Sequence, residues 1–167
     1  MILEAIVTTL NADQSVNVSP MGPCVDNSMS EFTLRPYDTS VTCQNLLRTR
    51  QGVLHITDDV ELLAKSAINR LKPLPEMVPA TSVVGQILVD ACRWYTFEVQ
   101  TIDDQQERVT MKCRVLESGR QRDFFGFNRA KHAVVEAAIL ATRVQWLPAD
   151  LISNQLEQLA VIIEKTA

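Results

Sequence analysis

Along the first two thirds of this chain apolar and polar residues alternate with the period of a strand, and the helical period dominates only in the last third. Ile2 to Leu10 is rich in β-branched residues. Val16 to Val18 follows the turn signal Asn11-Ala12-Asp13-Gln14-Ser15, so the two runs predict a hairpin. The extended run from Val16 is expected to break at Ser19-Pro20-Met21-Gly22, and Gly22 to Ser30 reads as loop. Glu31 to Tyr37 sets Phe32 and Leu34 against Thr33 and Arg35, then meets Pro36, which places its end at an edge or bend. Thr42 to Arg50 predicts two helical turns with Leu46 and Leu47 inward, and Val53 to Thr57 a short strand. A helix is expected from Asp58, with Glu61 completing the cap and Leu62, Leu63, Ile68 and Leu71 on its apolar side, ending before Pro73.

Three prolines between Lys72 and Pro79 argue against regular structure and for a lid or crossing loop. Two long runs follow. Ala91 to Ile102 places Tyr95, Phe97 and Val99 on one face, and Arg108 to Leu116 does the same with Val109, Met111, Cys113 and Val115. Joined at Asp103-Asp104-Gln105-Gln106 they predict a second hairpin, and about six such strands suggest a small barrel. Asn128 can cap a helix to about Val144, and Pro148 opens another to about Lys165 whose stripe is Ile152, Leu156, Leu159 and Ile163. The class is mainly β with α, that is α+β, with C-terminal helices.

Composition narrows the partners. The 167 residues are 46% hydrophobic, enough for a real core and most simply one domain with a helical extension. A net charge of −4 with scattered Lys and Arg argues against nucleic acid or an anionic membrane as partner. Cys24, Cys43, Cys92 and Cys113 are far apart and form no CxxC pair, which signals neither a zinc site nor a redox dithiol. MILEAIVTTL lacks a basic flank and carries Glu4, so it reads as a strand and not a signal peptide, and no apolar run reaches about 20 residues. A cytoplasmic protein is expected.

Candidate chemistry concentrates between Val16 and Leu47. Pro20 withholds a backbone donor and Gly22 has no Cβ, so this strand can let its backbone approach a flat ligand. Ser40 and Thr42 beside the free amides of a helix start suit a phosphate. A planar ring at one end and a phosphate at the other describe a flavin mononucleotide. Duller roles stand beside these: Ser40, Thr42 and Asn45 as helix caps, Asn17 bonded to a neighbouring backbone, Met21 as core filler. His55 and His132 are far apart and lack obvious carboxylate or cysteine partners. Arg129, Glu136 and Arg143 recur every seven residues with His132 between, either as solvated ion pairs or with Arg129 near a phosphate. Arg35, Arg48, Arg50 and Lys131 are the other candidate cations.

The segment NVSPMG, the turn DTSVTCQNL and above all the run FNRAKHAVVEAAILATR resemble the signatures of a conserved family of undefined function related to the split-barrel flavin reductases. The likeness covers almost the whole chain. It implies an FMN-binding split β-barrel over residues 1–127 and a C-terminal helical extension over 128–167, packed on the barrel or on a dimer partner. It further implies a homodimer with one FMN in each of two clefts at the subunit interface. Carried over by position, Asn17, Ser19, Met21 and Gly22 match the strand and turn that contact the isoalloxazine and ribityl chain; Ser40, Thr42 and Asn45 match the phosphate turn. Arg129 joins them as a candidate cation. Cys43 stands where similar proteins often carry an aromatic, so no aromatic stacking is expected from that turn. The implied function is an oxidoreductase passing hydride or electrons through FMN, with NAD(P)H or another small molecule as redox partner and no identified catalytic side chain. The alternatives are an FMN-binding or carrier module without turnover and a structural dimer whose barrel has lost its ligand.

Overall fold

In the computed structural model, which describes residues 1–167, strand β1 (Ala5–Leu10) is buried along its whole length. Its β-branched residues fit a pleated position covered on both faces. It pairs antiparallel with β2 (Val16–Met21) on one side and β5 (Gln51–Ile56) on the other. The sheet continues through β8 (Arg93–Asp103), β9 (Thr110–Arg120), β4 (Glu31–Leu34) and β3 (Cys24–Val25), giving seven strands in the order β2-β1-β5-β8-β9-β4-β3. Every pairing is antiparallel. The sheet curls, because Met1 and Val25 exchange backbone bonds at 2.8 and 2.9 Å and Leu3 N–H donates to the Pro23 carbonyl at 3.1 Å. Two register shifts in the β8–β9 ribbon add local bend. The result is the split barrel of an α+β protein.

The barrel core holds Val7, Leu34, Leu46, Leu54, Phe97, Val99, Met111 and Cys113. Phe97 meets Phe32 edge to face with centroids 5.1 Å apart. Gly52 lies opposite Phe97, and a Cβ there would stand 2.7 Å from the ring, so this crossing requires glycine. The inward faces expected of the second hairpin are the observed ones.

Several local expectations are corrected. The extended run from Val16 does not break at Ser19; β2 continues to Met21, with Pro20 opposite Ile6. β2 is an edge strand, where a missing N–H can face outward at no cost. The proline-rich stretch is not wholly irregular: β6 (Met77–Pro79) pairs with β7 (Gln86–Leu88) as a separate ribbon, whose open edge tolerates Pro79.

The chain divides into two compact units, residues Met1–Thr57 with Pro75–Asp123 and residues Asp58–Leu74 with Phe124–Ala167. The first contains the strands and α1 (Val41–Thr49). The second contains α2 (Val60–Ala67), α3 (Arg129–Ala141) and α4 (Ala149–Thr166). α2 is capped by Asp59 and not Asp58, Asp59 accepting from Leu62 N–H at 2.9 Å. Asp58 is instead buried, accepting from Phe125 N–H at 3.0 Å and standing 3.5 Å from Lys131 Nζ. α2 ends at Ala67, before Pro73 as expected but short of Ile68 and Leu71, with Asn69 taking a left-handed φ of 56°. Asn128 caps α3 by accepting from Lys131 N–H at 3.0 Å, as expected. On α4 the half-buried stripe takes Gln155 while Leu156 is 37% exposed, so the apolar side is narrower than the sequence implied. No helix is long and apolar enough to cross a membrane.

Candidate functional site

The β1–β2 hairpin sets Asn17 directly opposite Thr9, and α1 lays its first two turns against the same end of the ribbon. Ser40 starts this helix. Its Oγ accepts from Cys43 N–H at 3.1 Å and donates to the Tyr37 carbonyl at 2.7 Å. The N–H groups of Val41 and Thr42 have no intrahelical acceptor, which leaves two convergent donors and the positive end of the helix for an anion. The turn is held from behind: Asp38 N–H donates to the Glu107 carbonyl at 2.9 Å, and Arg108 donates to Tyr37 Oη at 2.8 Å with its guanidinium 4.2 Å from the ring centroid.

Six polar side chains near this turn, those of Thr9, Asn11, Asn17, Thr42, Asn45 and Arg48, form one network. Asn17 Nδ2 donates to Thr42 Oγ1 at 3.0 Å and to Thr9 Oγ1 at 3.2 Å. Asn45 Nδ2 donates to Thr9 Oγ1 at 3.0 Å and to Asn11 Oδ1 at 2.8 Å, while its Oδ1 accepts from Arg48 at 3.2 Å. Arg48 also donates to the Leu10 carbonyl. Thr9, Thr42 and Asn45 are buried, so each bond replaces water that has been lost. The arrangement fixes Asn17 and Thr42 in place. Because Thr42 Oγ1 accepts from Asn17, its own hydroxyl proton is left to donate elsewhere.

The sequence candidates therefore separate. Asn17, Thr42 and Asn45 are brought together, with Ser40 two residues away along the chain. Ser19 and Met21 lie further along β2, Met21 packing on the barrel core and Ser19 Oγ making only a 3.5 Å contact with the Pro20 carbonyl. A Cβ at Gly22 would stand 3.2 Å from Ile2 Cγ2, so the small residue admits the N-terminal segment. Arg129 belongs to the helical unit and is exposed at the start of α3. Thr9 and Asn11 are the members that sequence reasoning missed. The signal was two consecutive threonines in an otherwise apolar, wholly buried strand, where buried hydroxyls require partners.

Other reactive groups are spoken for. His55 is fully buried, with Nε2 accepting from Leu88 N–H at 3.1 Å and Nδ1 facing the Ile6 carbonyl at 3.4 Å. Burial holds its imidazole down at about 4, so it is neutral in place. Cys43 is fully buried, its thiol pushed up by burial and then by Asp38 and Asp104, and burial raises Cys113 to about 12. Neither is a nucleophile at neutral pH. His132 is exposed on α3, edge-on to Phe127 at 5.8 Å.

Known proteins place this architecture. No curated protein matches the chain in sequence. An FMN-bound DUF447 protein from Methanosarcina mazei shares the fold with TM-score 0.83 and 22% identity, over 99% of this chain and 86% of that one. The styrene monooxygenase flavin reductase of Pseudomonas putida S12 gives TM-score 0.59 at 12% identity, over 70% of this chain and 77% of that one. An NADH:FAD oxidoreductase of Streptomyces globisporus gives TM-score 0.60 at 10% identity, over 70% and 69%. The family model described as the N-terminal domain of a protein of unknown function, DUF447, matches residues 3–122, and its companion matches 128–167. The chain belongs to the DUF447 family.

Proposed function

We propose that this protein binds FMN and serves as an FMN-dependent oxidoreductase of the flavin reductase-like class, working as a homodimer with one FMN in each of two subunit-interface clefts. The observation that carries this reading is the fold shared over 99% of the chain with an FMN-bound member of the same family. The donor set fits the group. Thr42 Oγ1 and the N–H groups of Val41 and Thr42 suit a phosphate, Ser40 Oγ holds the turn that presents them by donating to the Tyr37 carbonyl, and the partly buried edge strand from Asn17 through Ser19 to Met21, with Gly22 after it, offers backbone to a ring and ribityl chain. Asn45 positions Thr9, which in turn steadies Asn17, so it acts through other groups. Of the candidate cations, Arg48 is the one joined to this network and is assigned the balancing charge; Arg129, in the other unit, is given a different role below. Residues 1–127 are taken to carry the cofactor, and 128–167 to be a helical extension.

Bound FMN supplies a ring that takes up and releases hydride or electrons, with NAD(P)H or another small molecule as the partner. The chain's own residues hold, orient and desolvate it. A binding module without turnover is the second reading. It is favoured by the way Asn17 is bonded to Thr42 and, through Thr9, linked to Asn45, an arrangement made to hold a ligand and not to move a proton.

The visible absorption spectrum of the purified protein, incubated with FMN and dialysed, tests this. A stoichiometric flavin band that anaerobic NADPH or NADH bleaches is the expected result. A band that no donor bleaches establishes the module. No band refutes FMN binding.

A further inference from the structure

The helical unit carries a groove between α3 and α4 that nothing in the proposed flavin chemistry uses. It is made of two adjoining cavities. One, of about 310 Å³, is lined by Phe127, Arg129, His132, Ala133 and Glu136 with Leu159 and Ile162; the other, of about 350 Å³, by Glu136, Ile139, Leu140 and Arg143 with the same two α4 residues and two glutamines. The floor is apolar and the rim is charged. Arg129 and Glu136 are both exposed, and neither makes an ion pair within the chain. Seven residues apart, they share one stripe of α3 separated by about 10.5 Å along the axis, too far to pair with each other. Beside the groove the same unit leaves Phe125 91% exposed and Phe127 92% exposed. Aromatic rings so uncovered mark an interface.

We propose that this groove is covered by the same face of a second copy of the chain, the two α3 helices crossing antiparallel about a two-fold axis beside His132 and Ala133. The charge pattern points to this occupant. An axis midway between Arg129 and Glu136 sets each arginine opposite the glutamate of the other copy, so two unpaired charges per chain become two reciprocal ion pairs. Ala133, beneath the crossing, is buried within the chain, and the exposed His132 is the side chain that stands at the axis. The same contact would cover the exposed Phe127 ring that lines the first cavity, two residues after the exposed Phe125. The backbone of Phe125 is already fixed, because its N–H is bonded to the buried Asp58 carboxylate. The inference rests on the homodimer proposed above and adds the surface by which the helical units meet.

The test is disulfide cross-linking of the full chain, carried out without added flavin. In a Cys24→Ser background, which removes the exposed native thiol, His132→Cys should oxidise to a covalent dimer across the axis. Glu157→Cys, on an exposed position of α4 outside the groove lining, should not. Adding Arg129→Glu or Glu136→Arg should each slow cross-linking at least about tenfold by setting like charges together, and the double reversal should restore it. Equal yields at the two cysteine positions, no yield at His132→Cys, or no rescue by the double reversal would overturn the proposal. FMN binding is read separately from absorbance, so failure here leaves that reading standing, and a missing flavin band leaves this one.

Discussion

The buried imidazole of His55 gives the barrel a pH dependence that can be worked out from its surroundings. His55 lies in β5, paired with Ile6 of β1 and Trp94 of β8, and is fully buried. Its Nε2 accepts from Leu88 N–H, so the proton of the neutral ring resides on Nδ1, toward the Ile6 carbonyl. Protonating Nε2 would destroy that acceptor and bury a charge against a backbone donor. Burial accordingly depresses the folded value to about 4, against an ordinary value of 6.5. Between those two values the unfolded chain binds a proton that the folded chain refuses, so stability falls as pH drops from about 6.5 toward about 4 and is flat above. At pH 5 the cost is about 2 kcal/mol relative to pH 7.5.

Carboxylates also titrate in acid, so the assay must isolate the histidine. His55→Gln keeps an acceptor on a side chain of similar length and cannot titrate. Urea unfolding of both proteins at pH 7.5 and pH 5.0, followed by circular dichroism, gives the stability lost on acidification in each. The loss should be smaller in the variant by about 2 kcal/mol, whatever the substitution does to stability at neutral pH. An equal loss in both proteins, or a ring proton resonance titrating near the ordinary histidine value in the folded state, would refute the argument.

Gly52→Ala should cost about 1–3 kcal/mol by thermal or urea unfolding, because its Cβ would meet Phe97 Cζ at 2.7 Å and the Thr8 carbonyl at 3.2 Å, and Phe97 is wholly enclosed. Thr42→Val removes the hydroxyl that accepts from Asn17, and should weaken FMN binding about tenfold in a fluorescence titration while costing the apoprotein about 1 kcal/mol. Asn45→Ala strands Thr9 and Asn11, so its loss of about 1–3 kcal/mol should appear in unfolding of the flavin-free protein, with weaker FMN binding following from the loosened Asn17.

What the sequence disclosed tracks what is local. The β8–β9 ribbon was legible because Phe97, Val99, Met111 and Cys113 alternate without interruption, and the inward set is fixed by period alone. β6 and β7 were not, since three residues are too few to show a period and Pro79 argues against a strand until its open edge is known. Pro20 misled for the same reason: an edge is a property of the assembled sheet. At the start of α2 two adjacent aspartates can each serve as the cap, and the carboxylate three residues on, Glu61, favours Asp58. Asp58 is taken by Phe125 N–H, sixty-seven residues on, and the cap falls to Asp59.

The site divides along the same line. Ser40 and Thr42 could be singled out because a helix start rich in side-chain oxygens is a local pattern, whereas Asn17 and Asn45 came in only through the family resemblance. Their joint meaning depends on Thr9, whose hydroxyl receives Asn17 from the neighbouring strand and Asn45 from α1. Only the β1–β2 register and the docking of α1 create that meeting point. Asn45, expected at a phosphate, spends both of its amide protons on Thr9 and Asn11, and so serves the ligand by holding the groups that would touch it. A rigid polar bed of this kind explains how a cofactor can be bound without a dedicated catalytic side chain. In the reading proposed above, backbone donors and one oriented hydroxyl would do the holding, and the network would keep them from reorganising when the ligand arrives.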